Sequence, residues 1–236
     1  MVKNKKLKTY KHLFFDLDRT LWDFENNSVA TFKIIFKKRD LQTIFPDFDT
    51  FINTYKVHNE NLWELYRLRQ ITKTELRNSR FQLTLKDFGV DNPILAEQIG
   101  DDYVEISPLQ TALFPKTLET LDYLSKKYEM HIITNGFVEV QYKKLEHSGL
   151  RKYFKHIITS EEAKASKPKP EIFHAAISAA NARKKDSLMI GDDLKNDILG
   201  AKNYGLDQVF FNPTQNKHQE NITFEITEIA QLTTIL

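Results

Sequence analysis

The sequence predicts an α/β fold in which a Rossmann-like parallel sheet carries helices on both faces and an all-helical segment is inserted into it. Short apolar runs of strand length alternate with helical patterns through the second half of the chain, which favours a parallel sheet. Several of these runs end directly in polar residues or glycine, where ligands bind in such sheets. The loss of strand patterns after the first run predicts the insertion.

Five segments predict strands, because each is a short apolar run that meets polar residues or a loop. In chain order these segments are Leu13–Phe15, Met130–Thr134, His156–Thr159, Ser187–Ile190 and Asp207–Phe211. Helical spacing extends from Val138 to His147, and Gly149 follows as a C-terminal cap. A second helix begins at Pro170, since proline suits a first helical turn, and runs through Ala180.

Residues 22–109 differ from the rest of the chain. Helical patterns such as Phe32, Ile35 and Phe36 replace the strand signals there. We therefore predict two domains: a Rossmann-like core of residues 1–21 and 110–236, and an inserted helical domain of residues 22–109.

Composition excludes several classes of function. The 236 residues are 41% hydrophobic and 28% charged and carry a net charge of +2. The electrostatic field of such a chain is weak, so it gives no reason to expect binding to nucleic acid or to an anionic membrane. The chain has no cysteine, which excludes disulfides and thiol catalysis and fits the cytoplasm. No apolar run could span a bilayer.

The basic residues 2–8 favour a solvated terminus, and the histidine spacing shows no zinc-site pattern. We expect a cytoplasmic monomer or homodimer.

Two carboxylates, Asp16 and Asp18, stand where the first predicted strand ends. Strand alternation places side chains two residues apart on the same side. Neighbouring carboxylates repel unless a cation or a shared proton offsets their charge. A hard divalent cation would do so and would also bind phosphate. Taken alone, the pair is more often a solvated loop.

Three further elements occupy the same kind of position. A hydroxyl and backbone amides suited to phosphate follow the second strand, a lysine precedes a proline-started helix, and carboxylates follow the fourth strand. They are Thr134–Gly136, Lys167, and Gly191 with Asp192, Asp193 and Asp197. Caps, turns and solvated charges are the ordinary explanation of each element alone. Their joint occurrence in this order favours a phosphate-processing site.

These four elements resemble the four motifs of the haloacid dehalogenase superfamily, and the resemblance covers nearly the whole chain. The helical insertion falls where the superfamily's first subgroup carries its cap. A finer similarity to bacterial pyrimidine 5′-nucleotidases rests on Ile71–Lys73, Leu76, Arg80–Phe81, Ile133–Phe137, Gln141, Leu145–Glu146, Gly149–Arg151 and Ser160–Glu162. Arg19 departs from the pattern, since many relatives have glycine or another small or polar residue there. The segment Ala163–Ser166 also lacks the usual glycine.

The resemblance implies a phosphomonoester hydrolase that works through an aspartyl-phosphate. Asp16 would be the nucleophile and Asp18 the general acid and base. Thr134 and Lys167 would hold the phosphoryl oxygens, with the amide of Asn135 nearby. Because the dehalogenases that attack carbon lack a second aspartate, Asp18 favours a phosphatase.

The resemblance also implies a Mg²⁺ cofactor. Asp16, the main-chain carbonyl of Asp18, and Asp192 would bind the ion. Asp193 and Asp197 would support these ligands, and Asp197 would orient a bound water or the motif lysine.

A small phosphorylated metabolite is the implied substrate, and a pyrimidine (deoxy)nucleoside monophosphate is the first hypothesis. Trp22 and Arg80 are the candidates near or in the cap for contacting it, although packing and solvation are the ordinary roles of such residues. A sugar-phosphate or phosphoglycolate phosphatase and a β-phosphomutase share the same core chemistry. A catalytically silent phosphate- or nucleotide-binding protein is the alternative of a different class.

Overall fold

The computed structural model describes residues 9–236, so the basic run 2–8 lies outside the described residues. The strands are β1 (His12–Phe15), β2 (Glu129–Thr134), β3 (Phe154–Thr159), β4 (Ser187–Gly191), β5 (Asp207–Phe211) and β6 (Phe224–Ile226). The helices are α1 (Phe24–Lys38), α2 (Phe48–Arg67), α3 (Lys73–Lys86), α4 (Pro93–Ile106), α5 (Thr117–Leu124), α6 (Val138–His147), α7 (Pro170–Ala179), α8 (Gly200–Tyr204) and α9 (Leu232–Ile235). A π-helical segment, Leu194–Leu199, precedes α8.

All six strands pair in parallel in the order β3-β2-β1-β4-β5-β6. The predicted α/β fold with a parallel sheet is confirmed. The chain moves away from β1 in one direction for β2 and β3 and in the other for β4 to β6. This reversal makes the carboxyl end of β1 a topological switch point, where open parallel sheets bind ligands.

Alternation along the strands supplies a buried apolar face on each side of the sheet. On β1, Leu13 and Phe15 belong to one core cluster and Phe14 to the other. The first cluster includes Leu145 of α6, and the second includes Phe173 of α7. Helices therefore cover both faces, as the continuous apolar strands predict.

Contacts divide the chain into two compact units. The first joins residues up to Phe24 with Thr111–Leu236, and the second is Glu25–Gln110. Within the described residues of the second unit the elements are helical, and an aromatic core of Phe32, Phe51 and Tyr55 packs them together. The role of this helical unit as a cap stays a prediction.

Capping residues explain where two helices of the second unit begin. The side chain of Thr72 accepts from the amide of Glu75, and the Glu75 carboxylate accepts from the amide of Thr72, which is a capping box for α3. Asp47 accepts from the amide of Thr50 at the start of α2.

Across residues 9–236, every helix is too short or too polar to cross a bilayer. The predicted strands agree with β1 to β5 to within two residues at each end, while the three-residue β6 was not predicted. Its shortness explains the miss, because three residues carry too little alternation to stand out.

Candidate active site

The carboxyl ends of β1, β2 and β4 bring the predicted site residues together. Asp16 follows β1 directly, Thr134 ends β2, and Asp192 follows β4. Because β1 lies between β2 and β4, Asp16 lies between Thr134 on one side and Asp192 on the other. The site therefore arises from strand order, although Asp16 is 118 residues from Thr134 and 176 residues from Asp192 along the chain.

Asp16 is buried and paired with Lys167. The Lys167 Nζ lies 2.5 Å from Asp16 Oδ1, 2.6 Å from Asp197 Oδ1 and 2.9 Å from the carbonyl oxygen of Ile133. Burial alone would lower the pKa of Lys167, but the two carboxylates raise it above its ordinary value. The lysine is therefore a permanent ammonium that holds Asp16 at the sheet edge.

Negative charge exceeds positive charge in this cluster. Asp16, Asp192 and Asp197 place a carboxylate oxygen each within 4.8 Å of the others. Burial is the largest cause that raises the pKa of all three, and it raises that of Asp192 to about 7. The charge of Asp197 contributes to the raised pKa of both Asp16 and Asp192. An arrangement of hard oxygen donors with surplus negative charge could hold a divalent cation.

The carboxylate of Asp18 is held on both of its oxygens by residues of α6. Lys144 Nζ lies 2.5 Å from Oδ1, and Gln141 Nε2 donates to Oδ2 at 2.8 Å. Lys144 is only 4% exposed, and its ammonium lies 3.9 Å from the centre of the Trp22 ring. The sequence patterns assigned no role to Gln141 or Lys144. The signal was their i, i+3 spacing, which places both on one face of a helix.

Thr134 has a hydroxyl that is free to donate. Its Oγ1 accepts from Gln141 Nε2 at 2.6 Å and from the amide of Gly136 at 3.0 Å. Because both partners donate to the Thr134 oxygen, the hydroxyl proton of Thr134 remains available to bind an anion. This geometry supports the predicted contact between Thr134 and a phosphoryl oxygen.

Asn135 joins the loop after β2 to the loop that carries Lys167. Its Nδ2 donates to the Lys167 carbonyl at 3.1 Å, and its Oδ1 accepts from the Lys167 amide at 2.8 Å. Ser160 donates to the Asn135 carbonyl at 3.2 Å. The side chain of Asn135 therefore positions the lysine, while the predicted substrate contact by its amide stays a prediction.

A glycine at the end of β4 permits the approach of Asp197. A Cβ placed on Gly191 would lie 2.5 Å from the Asp197 Cγ, which is closer than real atoms come. Asp193 caps the following π-helical segment by accepting from the amides of Lys195 and Asn196. Asp192 accepts a hydrogen bond from Thr20 Oγ1 at 3.0 Å. Asp193 thus shapes the loop, and its place beside a metal ligand stays a prediction.

The two predicted substrate contacts, Trp22 and Arg80, are both buried. Trp22 is fully buried in the first unit, where its ring lies under Lys144. Arg80 is 4% exposed in the second unit and donates to Asn59 Oδ1 at 3.0 Å and to Tyr55 Oη at 3.2 Å. No carboxylate pairs with Arg80 among residues 9–236, and its Nε lacks a hydrogen-bond partner there. Substrate contact by either residue stays a prediction.

Arg19 shows why a small residue suits its position. Its φ is 65°, in the left-handed region that glycine adopts without strain. The guanidinium lies 4.2 Å from the centre of the Phe24 ring, a contact that offsets part of this cost.

A family model described as haloacid dehalogenase-like hydrolase matches residues 10–205, which is most of the chain. The chain belongs to this family. It is similar to the pyrimidine 5′-nucleotidase PynA of Streptococcus pneumoniae, with 32% identity over 94% of this chain and 93% of the relative. It is also similar to the pyrimidine 5′-nucleotidase YjjG of Escherichia coli, with 31% identity over 95% of this chain and 96% of the relative.

A solved structure matches this haloacid dehalogenase-like hydrolase along nearly its whole length. The putative HAD-hydrolase YfnB from Bacillus subtilis, in a crystal form bound to magnesium, superposes with a TM-score of 0.87 and 28% identity. The match covers 97% of this chain and 99% of that one. Family and relatives together confirm the prediction of a hydrolase of the phosphatase type.

Proposed function

We propose that this hydrolase is a Mg²⁺-dependent 5′-nucleotidase that releases phosphate from pyrimidine (deoxy)nucleoside monophosphates. The observation that carries the phosphatase chemistry is the placement of two aspartates at the end of β1. Asp16 is held by an ammonium, and Asp18 is held separately on both of its carboxylate oxygens. Two carboxylates in different environments suit two different roles.

The carboxylate cluster fits a Mg²⁺ ion. Its donors are oxygens, and the raised pKa of Asp16 and of Asp192 reflects buried negative charge that a dication would offset. In the proposal, Asp16, Asp192 and the main-chain carbonyl of Asp18 hold the ion. When bound, Mg²⁺ supplies positive charge that stabilises the phosphoryl group in the transition state.

The proposed reaction has two halves. In the first, an Asp16 carboxylate oxygen attacks phosphorus while Asp18 gives a proton to the leaving nucleoside oxygen, so an aspartyl-phosphate forms. In the second, Asp18 takes a proton from a water that attacks the same phosphorus, and Asp16 is regenerated. Thr134 would donate its free hydroxyl proton to a phosphoryl oxygen throughout.

The substrate class rests on the relatives. Two enzymes named pyrimidine 5′-nucleotidases align with this chain over more than nine-tenths of their length. The finer motifs of the sequence point to the same group. We propose that the helical unit supplies specificity for the nucleoside, since the residues at the strand ends would touch the phosphate common to all phosphomonoesters.

Phosphate release from a panel of substrates tests the proposal. The panel contains UMP, dUMP, dTMP, purine monophosphates, sugar phosphates and phosphoglycolate, each with Mg²⁺ and with EDTA. We expect kcat/KM to be highest for the pyrimidine nucleotides and activity to disappear with EDTA. Preference for a sugar phosphate would refute the proposed substrate class but would remain consistent with the proposed aspartyl-phosphate reaction. Undiminished activity in EDTA would refute the metal dependence.

Replacing the nucleophile tests the chemistry itself. Asp16→Asn removes a buried carboxylate whose ionised form the fold disfavours, so the protein should remain folded. We expect its turnover to fall by at least about 1000-fold, since a covalent nucleophile is lost. Asp122→Asn makes the same chemical change at an exposed residue of the same unit and should leave turnover unchanged. Activity of Asp16→Asn equal to this control would exclude Asp16 as the nucleophile.

A further inference from the structure

A row of three histidines crosses the sheet near the amino ends of its strands. His12, His131 and His156 lie on β1, β2 and β3, with their rings stacked at centroid distances of 5.5 and 5.3 Å. Parallel pairing places His131 beside His156, and His12 beside Glu129. Because partners in register point to the same face, these side chains share one side of the sheet.

Two histidines of this row and the neighbouring Glu129 bring three potential ligand atoms together. His12 Nδ1 lies 3.3 Å from His131 Nε2 and 3.9 Å from Glu129 Oε2, and the three ligand atoms lie within 4.8 Å of one another. In a tetrahedral zinc site with metal–nitrogen bonds of about 2.0–2.1 Å, neighbouring ligand atoms are about 3.3 Å apart. The two nitrogens already have that spacing, and a small rotation of Glu129 would bring its oxygen to it.

Burial favours the neutral form of both His12 and His131. His131 is fully buried, and burial, followed by the charges of His12 and His156, lowers its pKa to about 3. Burial also lowers the pKa of His12. Neutral imidazoles keep a lone pair for a metal ion. His131 Nδ1 has no hydrogen-bond partner among residues 9–236. The polar contact of the His131 ring is therefore made by its other nitrogen, Nε2, with His12 Nδ1.

An ion could reach the cluster from solvent. The Glu129 side chain is 49% exposed, and that of His12 is 13% exposed. Lys155 Nζ competes for Glu129, at 2.9 Å from the same oxygen that faces His12. That lysine is 59% exposed, and an exposed ion pair of this kind contributes little, so its side chain can move into water.

We propose that His12, Glu129 and His131 form a binding site for a transition-metal ion of the zinc or cobalt class, with water as the fourth ligand. Imidazole nitrogens favour such ions over Mg²⁺, which prefers oxygen. The site is separate from the carboxylate cluster, because His12 and Asp16 are four residues apart on one extended segment, which spans about 13 Å. A bound ion would tie β1 to β2 at the end opposite the nucleophile.

Titration with Co²⁺ tests this site in the full-length protein. The protein is first treated with a chelator and then kept in excess Mg²⁺, which under the proposed function fills the carboxylate cluster. We expect one equivalent of Co²⁺ to bind and to give the strong visible absorption of tetrahedral cobalt with nitrogen ligands. Co²⁺ should also raise the Tm, because it binds the folded chain.

His12→Gln is the decisive variant, since His12 is partly exposed and its loss leaves the core intact. We expect the affinity for Co²⁺ to fall by at least about 100-fold and the absorption to disappear, because even partners outside the ligand set change affinity by about 10- to 100-fold. His131→Gln should do the same, with circular dichroism reporting whether it folds.

His156→Gln is the matched control, because it removes a histidine of the same row that lies outside the ligand cluster. It should retain the cobalt absorption. Absence of a tetrahedral Co²⁺ species in the unmodified protein would overturn the proposal. Unchanged binding in His12→Gln, or equal loss in His156→Gln, would overturn it as well.

Discussion

Replacing Lys144 by methionine tests whether α6 positions the predicted general acid and base. Lys144 is 4% exposed, with its ammonium 2.5 Å from Asp18 Oδ1 and 3.9 Å from the centre of the Trp22 ring. Methionine keeps an unbranched apolar side chain against Trp22 and removes the charge. The substitution therefore releases one oxygen of Asp18 while preserving the packing beneath it.

The expected magnitude follows from the contact that is lost. A hydrogen bond to a charged group contributes about 1.5–3 kcal/mol. The Asp18 side chain is 24% exposed, so water replaces part of the contact and about 1–2 kcal/mol remains. Since about 1.4 kcal/mol is tenfold in rate, we expect kcat to fall about 5- to 30-fold. KM should change little, because Lys144 does not contact the residues predicted to hold the phosphoryl group.

Steady-state phosphate release at saturating Mg²⁺ measures both constants. Lys143→Met is the matched control, because it makes the same change at the adjacent exposed position of α6 and should leave kcat unaltered. Lys144→Arg keeps the charge and should recover most of the rate. A kcat for Lys144→Met within twofold of the control, or a change confined to KM, would refute the positioning role of Lys144.

Two further predictions concern the carboxylate cluster. Burial raises the pKa of Asp16, Asp192 and Asp197, so the metal-free fold binds protons more tightly than the unfolded chain and loses stability as pH rises toward about 7. Mg²⁺ should therefore raise the Tm more at pH 8 than at pH 6, and an equal or smaller rise at pH 8, measured by calorimetry, would contradict this. Gly191→Ala should lower the Tm by about 2–10 °C and reduce kcat, since its Cβ would lie 2.5 Å from the Asp197 Cγ. Unchanged Tm and kcat would show that the loop adjusts freely.

The positions of the candidate site residues could be predicted because each follows a local sequence pattern. Asp16, Thr134 and Asp192 each stand at or just after the end of an apolar run, and parallel strands deliver their carboxyl ends to one edge. That logic needs the type and order of the elements and no knowledge of side-chain direction. It therefore predicted the α/β fold, which the structure and the family confirm, and the cluster of acidic residues.

The partners of Asp18 were outside the reach of such patterns. Gln141 and Lys144 are 123 and 126 residues away from it along the chain, and both lie on a helix. Which face of that helix meets the loop after β1 depends on how α6 packs on the sheet. Local spacing shows that the two residues share a face, but the packing of Leu145 in the core determines where that face points.

The histidine row also shows the difference between what local sequence patterns determine and what tertiary packing determines. The sequence alone determined that the chain is a parallel α/β protein with polar and acidic residues at its strand ends, because apolar periodicity and the residues that follow it are local properties. The phosphatase activity was implied by the resemblance of these residues to the motifs of a known superfamily. The tertiary structure decided which distant side chains meet, as in the 3.3 Å approach of His12 to His131. Strand register and helix packing set those distances, and both depend on the free energy of the whole core rather than on any one segment.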